Sequence, residues 1–136
     1  MSPCAAAFVS VFNGPPWSEQ WTKERALAHL QDGLEAPGAL GLVARDGVRV
    51  VGFVLGHRKM RDLSVSFYIQ EMCILEAYRG QGVGRQIVAA LEAKLAEQSI
   101  SSLYLLTARN SAAEAFYEKL GFYNNEGVVV MTKRLS

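Results

Sequence analysis

Six residues from Arg79 to Gly84 carry three glycines, Gly80, Gly82 and Gly84, in the run RGQGVG. Glycine lets a backbone turn tightly and come close to a ligand with no Cβ in the way. Val83, Ile87, Val88, Leu91 and Leu95 follow at helical spacing, so a helix opens on this turn. Its first N–H groups lack intrahelical partners, a combination suited to phosphate. Two other residues in the preceding stretch invite chemistry. Glu71 is a carboxylate in an apolar run, a costly placement unless it has a partner or faces a cleft. Cys73 resembles a nucleophile only in isolation, because no histidine is near it in sequence and apolar surroundings raise a thiol pKa. Core packing is the better reading for it.

The two familiar phosphate loops fit poorly. A P-loop needs Lys and Ser or Thr after its last glycine, where this chain has Arg85 and Gln86. The dinucleotide fingerprint wants glycines at its first, third and sixth positions and a second mononucleotide unit later in the chain.

The elements that must position these groups follow from periodicity. Ala5 to Phe12 is short and apolar, open to helix or strand, and its alanines favour helix. Asn13 to Pro16 breaks it. Thr22 is a candidate N-cap for a helix whose apolar face is Ala26, Leu27, Leu30 and Leu34, closed by Pro37 and Gly38. Leu40–Ala44 and Val50–Leu55 flank Arg45-Asp46-Gly47 as a hairpin. Gly52 interrupts the second strand, which ends near Gly56, and His57 to Leu63 reads as an exposed, irregular connection. Phe67 to Leu75 is the organising strand, and its helix runs to about Gln98. Ser102–Thr107 is a strand, and Ser111–Leu120 a helix with Gly121 as its C-cap. Val128–Lys133 is a final strand, with Phe122–Asn124 as a possible short partner. The expected fold is α/β: one mixed, mostly antiparallel sheet with helices on both faces.

With 136 residues, the chain is expected to be one domain spanning residues 1–136. Fourteen basic and 13 acidic residues leave a net charge of +1, which gives no general drive toward nucleic acid. Two cysteines do not make a disulfide scaffold, and two histidines without ligand-like spacing argue against zinc. No charged leader or membrane-length apolar run is visible, so a cytoplasmic protein with no membrane partner is expected.

The run RGQGVG, followed by TARNSAAEAFYEKLGF from Thr107 to Phe122, resembles the acyl-CoA-dependent N-acetyltransferase superfamily (GNAT). Arg79, Gly82 and Gly84 match its Gln/Arg-x-x-Gly-x-Gly/Ala pattern. Asn110, Ala113 and Tyr117 match a second, separated one in order and spacing. The resemblance covers roughly Leu40 to Leu135, while the family's usual first strand is supplied by Ala5–Phe12 or missing. It implies acetyl-CoA as cosubstrate, no metal, and a bulged central strand. By that resemblance, backbone N–H groups of Gly80, Gln81, Gly82, Val83, Gly84 and Arg85 hold the pyrophosphate, and the Arg79 and Arg85 side chains add charge-assisted contacts. Backbone groups around Cys73, Ile74 and Leu75 pair with the pantetheine arm. Asn110 contacts the cofactor, and Tyr117 protonates the departing thiolate.

Direct attack of a primary amine then requires a base, for which Glu71 is the candidate, acting through water; the alternative is a rim salt bridge. The stretch NGPPWSEQW lies where the family binds its acceptor, so Trp17, Glu19 and Trp21 either receive a cationic amine or lock a loop onto the core. One of Phe67 and Tyr68 faces the acceptor, with Tyr68 the candidate. His29 reads as a surface residue, and His57 is placed where it could face the same cleft. The acceptor is a small amine or a peptide or protein amine. PGALGLVA and IQEMCI are similar, diffusely, to members grouped with aminoglycoside-modifying acetyltransferases. A homodimer is common in the family. A non-catalytic acyl-CoA sensor is the alternative function.

Overall fold

A computed structural model describes residues 1–136. The chain forms two compact units, Met1–Leu106 and Thr107–Ser136.

The first unit opens with helix α1 (Ser2–Phe12), resolving the ambiguity of Ala5–Phe12 in favour of helix; no strand precedes residue 39. Pro3 sits in its first turn, where a missing N–H costs nothing, and Ala5, Phe8 and Val11 form its buried stripe. Helix α2 (Lys23–Glu35) begins at Thr22, whose hydroxyl accepts from the Arg25 N–H at 3.1 Å, and buries Ala26, Leu30 and Gly33.

Strands β1 (Ala39–Asp46), β2 (Arg49–Met60), β3 (Val65–Ile74) and β4 (Ser102–Tyr104) form one sheet in that order, with only the β3–β4 pair parallel. Side-chain alternation gives β2 two buried faces. Val51, Phe53 and Leu55 join Phe8 and Leu30 in the core under α1 and α2. Gly52 faces helix α3 (Val83–Glu97), where an added Cβ would lie 2.7 Å from Ile74 Cδ1 and 3.4 Å from Ile87 Cδ1. Gly52 therefore permits close helix–sheet approach and does not interrupt the strand. The sheet is mixed, mostly antiparallel and covered on both faces, as expected.

Four boundaries differ from the sequence reading. Strand β2 does not stop at Gly56. It continues to Met60, paired through Met60↔Val65, because β3 supplies a ladder that charged side chains at Arg58 and Lys59 do not disturb. The β1–β2 turn is Gly47-Val48, Gly47 taking φ +61°. Strand β4 ends at Tyr104, three residues before Thr107.

The fourth difference lies in the second unit, where the only regular element is helix α4 (Ala112–Lys119). Neither Phe122–Asn124 nor Val128–Lys133 is a strand. A strand needs a paired neighbour, and this unit offers none, so the side chains of Val128 to Met131 stay exposed. No helix of the chain is long and apolar enough to cross a membrane.

Candidate active site

Strand β3 carries a bulge. Its ladder with β2 passes from Leu55↔Glu71 to Gly56↔Ile69, leaving Gln70 as the extra residue. On its other edge β3 pairs with β4 only over Ser66–Tyr68. Beyond Tyr68 that edge has no strand beside it, so bulge and opening coincide. The Leu75 N–H is bonded to the Val51 carbonyl at 2.8 Å, and the Leu75 carbonyl accepts from Tyr78 at 2.9 Å. Alternation then turns the backbone groups of Cys73 toward β2 and those of Met72 and Ile74 toward the open edge. Of Cys73, Ile74 and Leu75, Ile74 is the one whose backbone faces outward.

The glycine turn follows a short 3₁₀ helix, Glu76–Tyr78. The Tyr78 hydroxyl donates to Asp46 at 2.7 Å, fastening this segment to the β1–β2 hairpin. Gly80 and Gly82 take φ +76° and +85°, a region costly for residues with a Cβ. A Cβ at either would meet nothing within 4 Å, so space lies open above both. Gly82 caps α3 with no side-chain bond, and the first helical bond is Gln86 N–H to the Gly82 carbonyl. The N–H groups of Val83, Gly84 and Arg85 thus precede the helix's own ladder. Gln81 turns its amide back to the Ala77 carbonyl at 2.9 Å, which leaves its backbone as its contribution to the turn. Arg79 donates from Nε to the Ile74 carbonyl at 3.3 Å, and its guanidinium lies 5.6 Å from the Trp17 ring centroid. This turn fits a pyrophosphate by its donors, its open space and its two arginines.

On the face of the sheet under α1 and α2 stands Glu71. Its Oε1 is 3.0 Å from Nε2 of His29, and both side chains are mostly buried. Burial pushes the Glu71 carboxyl above its ordinary range; the His29 hydrogen bond and charge pull it back, and Glu19 adds to the upward push. His29 is thus no surface residue. Its ring centroid lies 5.1 Å from that of Trp21 and 5.6 Å from that of Phe8. Helical geometry placed it beside Ala26 and Leu30, and the only sequence signal was its i+3 spacing from Ala26.

Trp21 packs edge-on against Phe8 at 4.8 Å and donates from its indole to Glu19 at 2.8 Å. Asn13 bonds both the N–H and the carbonyl of Trp21, at 2.8 and 2.9 Å. Trp21 therefore locks the loop to the core, while Trp17 stays 38% exposed beside Phe12. Phe67 is buried in the core and Tyr68 is half-buried, its ring 5.8 Å from His57 and 5.0 Å from Tyr104. Burial raises the Tyr68 phenol and lowers the His57 imidazole, whose Nδ1 is buried without a partner.

In the second unit, Ser111 caps α4 by accepting from the Glu114 N–H at 3.1 Å. Glu114 in turn accepts from the N–H of Asn110, the residue before the cap, at 2.9 Å, which holds Asn110 at φ +58°. The helix ends in a Schellman motif: Phe122 and Gly121 donate to the carbonyls of Tyr117 and Glu118, and the Tyr117 and Phe122 rings meet at 5.3 Å. Both Asn110 and Tyr117 are thereby fixed at helix ends. No cluster of three or more His, Cys, Asp or Glu side chains stands where it could hold a metal ion.

The profile of the Acetyltransferase (GNAT) family matches residues 7–122. The chain belongs to this family. Acetyl-CoA-dependent transfer is accordingly its chemistry. Over 111 residues the chain is 32% identical to the uncharacterized N-acetyltransferase YycN of Bacillus subtilis (strain 168), covering 78% of this chain and 68% of that protein. A putative acetyltransferase from Agrobacterium tumefaciens str. C58 superposes with TM-score 0.79 at 23% identity, covering 98% of this chain and 96% of its own. The aminoglycoside acetyltransferase meta-AAC0020, from an uncultured soil metagenomic sample and solved with sisomicin, superposes with TM-score 0.76 at 18% identity, covering 98% and 87%. These two structures share the GNAT fold. The glycine turn and bulged β3 are where this GNAT chain meets the sequence expectation most closely.

Proposed function

We propose that the chain is a single N-acetyltransferase domain that moves an acetyl group from acetyl-CoA to a primary amine by direct attack. The observation that carries this reading is the juxtaposition on one strand of Glu71, the outward backbone of Ile74, and the glycine turn that follows. Gly80, Gln81, Gly82, Val83, Gly84 and Arg85 offer the turn's N–H groups to the pyrophosphate, and Arg79 and Arg85 its charge. The open β3 edge takes the pantetheine as an added strand would, and Asn110 contacts the cofactor.

Glu71, ionised, takes through a water the proton that the amine loses as its nitrogen bonds to the acetyl carbon. Tyr117 gives its phenolic proton to the sulfur as the carbon–sulfur bond breaks. A phenol at about 10 is matched to a thiol near 8.5. Trp17, Glu19, Trp21 and Tyr68 border the acceptor, a small amine first and a peptide amine second; an aromatic and acidic wall favours a cation.

The test is acetyl transfer to a panel of a polyamine, an aminoglycoside and a short peptide with a free N-terminus. Wild type should turn over at least one, and Glu71→Gln should lose most activity above the acid limb, where the Glu71 carboxylate is ionised, and should lose the limb itself. Folded protein that binds acetyl-CoA yet acetylates none would favour the sensor reading.

A further inference from the structure

We propose that His29 is the positioning residue for Glu71, holding one carboxylate oxygen so that the other faces the acceptor. This rests on Glu71 being the base. The geometry is asymmetric: Oε1 meets His29 Nε2 at 3.0 Å, whereas Oε2 has no protein partner and is not sealed from solvent. A water on Oε2 can therefore carry the amine's proton to Glu71. His29 is in turn fixed by others. The Trp21 and Phe8 rings stand 5.1 and 5.6 Å from its own, and Trp21 is held by Asn13 and by Glu19. The loop before α2 thus reaches the carboxylate on β3 through one imidazole.

The contact also sets when Glu71 is ionised. Burial favours its neutral form, and Glu19, from that loop, adds like-charge repulsion; the His29 hydrogen bond opposes both. The other titratable groups nearby are Tyr68 and Cys73 on β3, His57 on β2 and Cys4 on α1, none of which carries a lasting positive charge; the Arg79 guanidinium, beyond the end of β3, acts on Cys73 and is bonded to the Ile74 carbonyl. Lys59, farther along β2, acts on His57. His29 is the group placed to keep the carboxylate charged.

The test pairs His29→Phe, which keeps an aromatic ring but no donor, with His29→Gln, which keeps a donor but no ring. The Glu71 carboxyl carbon, followed by NMR in protein labelled with ¹³C-glutamate, should titrate at higher pH in His29→Phe and return toward wild type in His29→Gln. With the fastest acceptor of the panel, the acid limb of kcat should move in the same sense. Turnover of His29→Phe should fall roughly tenfold at pH 6 and less at pH 9, with the KM for acetyl-CoA unchanged. An unmoved carboxyl midpoint overturns the proposal. Glu71→Gln retaining the wild-type acid limb overturns the base reading, and this one with it. Loss of that limb in Glu71→Gln, with midpoint and limb unmoved in His29→Phe, overturns the role of His29 alone. Should His29→Phe fail to fold, His29→Leu, which likewise lacks a donor, takes its place in the same titration.

Discussion

The Arg79 guanidinium lies over the Trp17 indole, 5.6 Å from its centroid, while its Nε holds the Ile74 carbonyl at 3.3 Å. One side chain thus joins the tryptophan loop, the end of β3 and the glycine turn. An exposed cation–π contact is worth about 0.5–1 kcal/mol. A hydrogen bond to a charged phosphate contributes about 1.5–3 kcal/mol. Arg79 should therefore leave Trp17 when the pyrophosphate arrives. Titrating the protein with coenzyme A should change tryptophan emission, and Trp17→Phe should abolish that change. Emission from Trp17 that stays constant through saturation would show that Arg79 does not move.

Gly82 separates backbone strain from ligand exclusion. A Cβ at Gly82 meets open space, so in Gly82→Ala only the φ of +85° costs stability, about 1–2 kcal/mol. Thermal unfolding should register a drop of a few degrees. Acetyl-CoA affinity should fall by much more than tenfold, because the methyl occupies the space offered to the phosphates. Wild-type acetyl-CoA affinity in folded Gly82→Ala would mean that the turn touches no ligand.

Gly56 tests the bulge. A Cβ there would run into the Tyr68 carbonyl and come within 2.6 Å of the Phe67 ring. Gly56→Ala should destabilise the fold by about 3 kcal/mol, read as a lowered denaturant midpoint at unchanged slope.

How much of this was legible in the sequence depended on whether a signal was local. The glycine turn, the α2 cap at Thr22 and the Ser111–Gly121 helix are written within a few residues of themselves, and all formed where expected. The Glu71–His29 pair was not legible, because it joins positions 42 apart across a helix and a strand. The extension of β2 to Met60 was hidden for a similar reason: Arg58 and Lys59 read as a loop until β3 supplies their ladder. Val128–Lys133 failed in the opposite direction. Its valines carry strong β-propensity, yet propensity makes no strand without a paired neighbour.

Cys73 separates direct transfer from a covalent route. Burial pushes its thiol far above the ordinary value, and Glu71 adds to that push. Native protein should show slow reaction of this thiol with Ellman's reagent and rapid reaction only in denaturant. Incubation with acetyl-CoA alone should leave the protein mass unchanged; a stable gain of one acetyl group on Cys73 would contradict direct transfer.

Tyr117→Phe removes the phenol while retaining the ring that meets Phe122. Turnover should fall roughly hundredfold, while acetyl-CoA affinity stays within about twofold. Unchanged turnover at saturating substrates, with chemistry rate-limiting, would remove Tyr117 from the mechanism.

The most direct measurement is calorimetric titration of the purified protein with acetyl-CoA, with coenzyme A and ATP as comparators. Micromolar binding of acetyl-CoA and coenzyme A, absent for ATP and lost in Gly82→Ala, is the expected result. Folded wild-type protein that binds neither coenzyme A form would contradict the account of the glycine turn, and the roles given to Glu71, His29 and Tyr117 would fall with it.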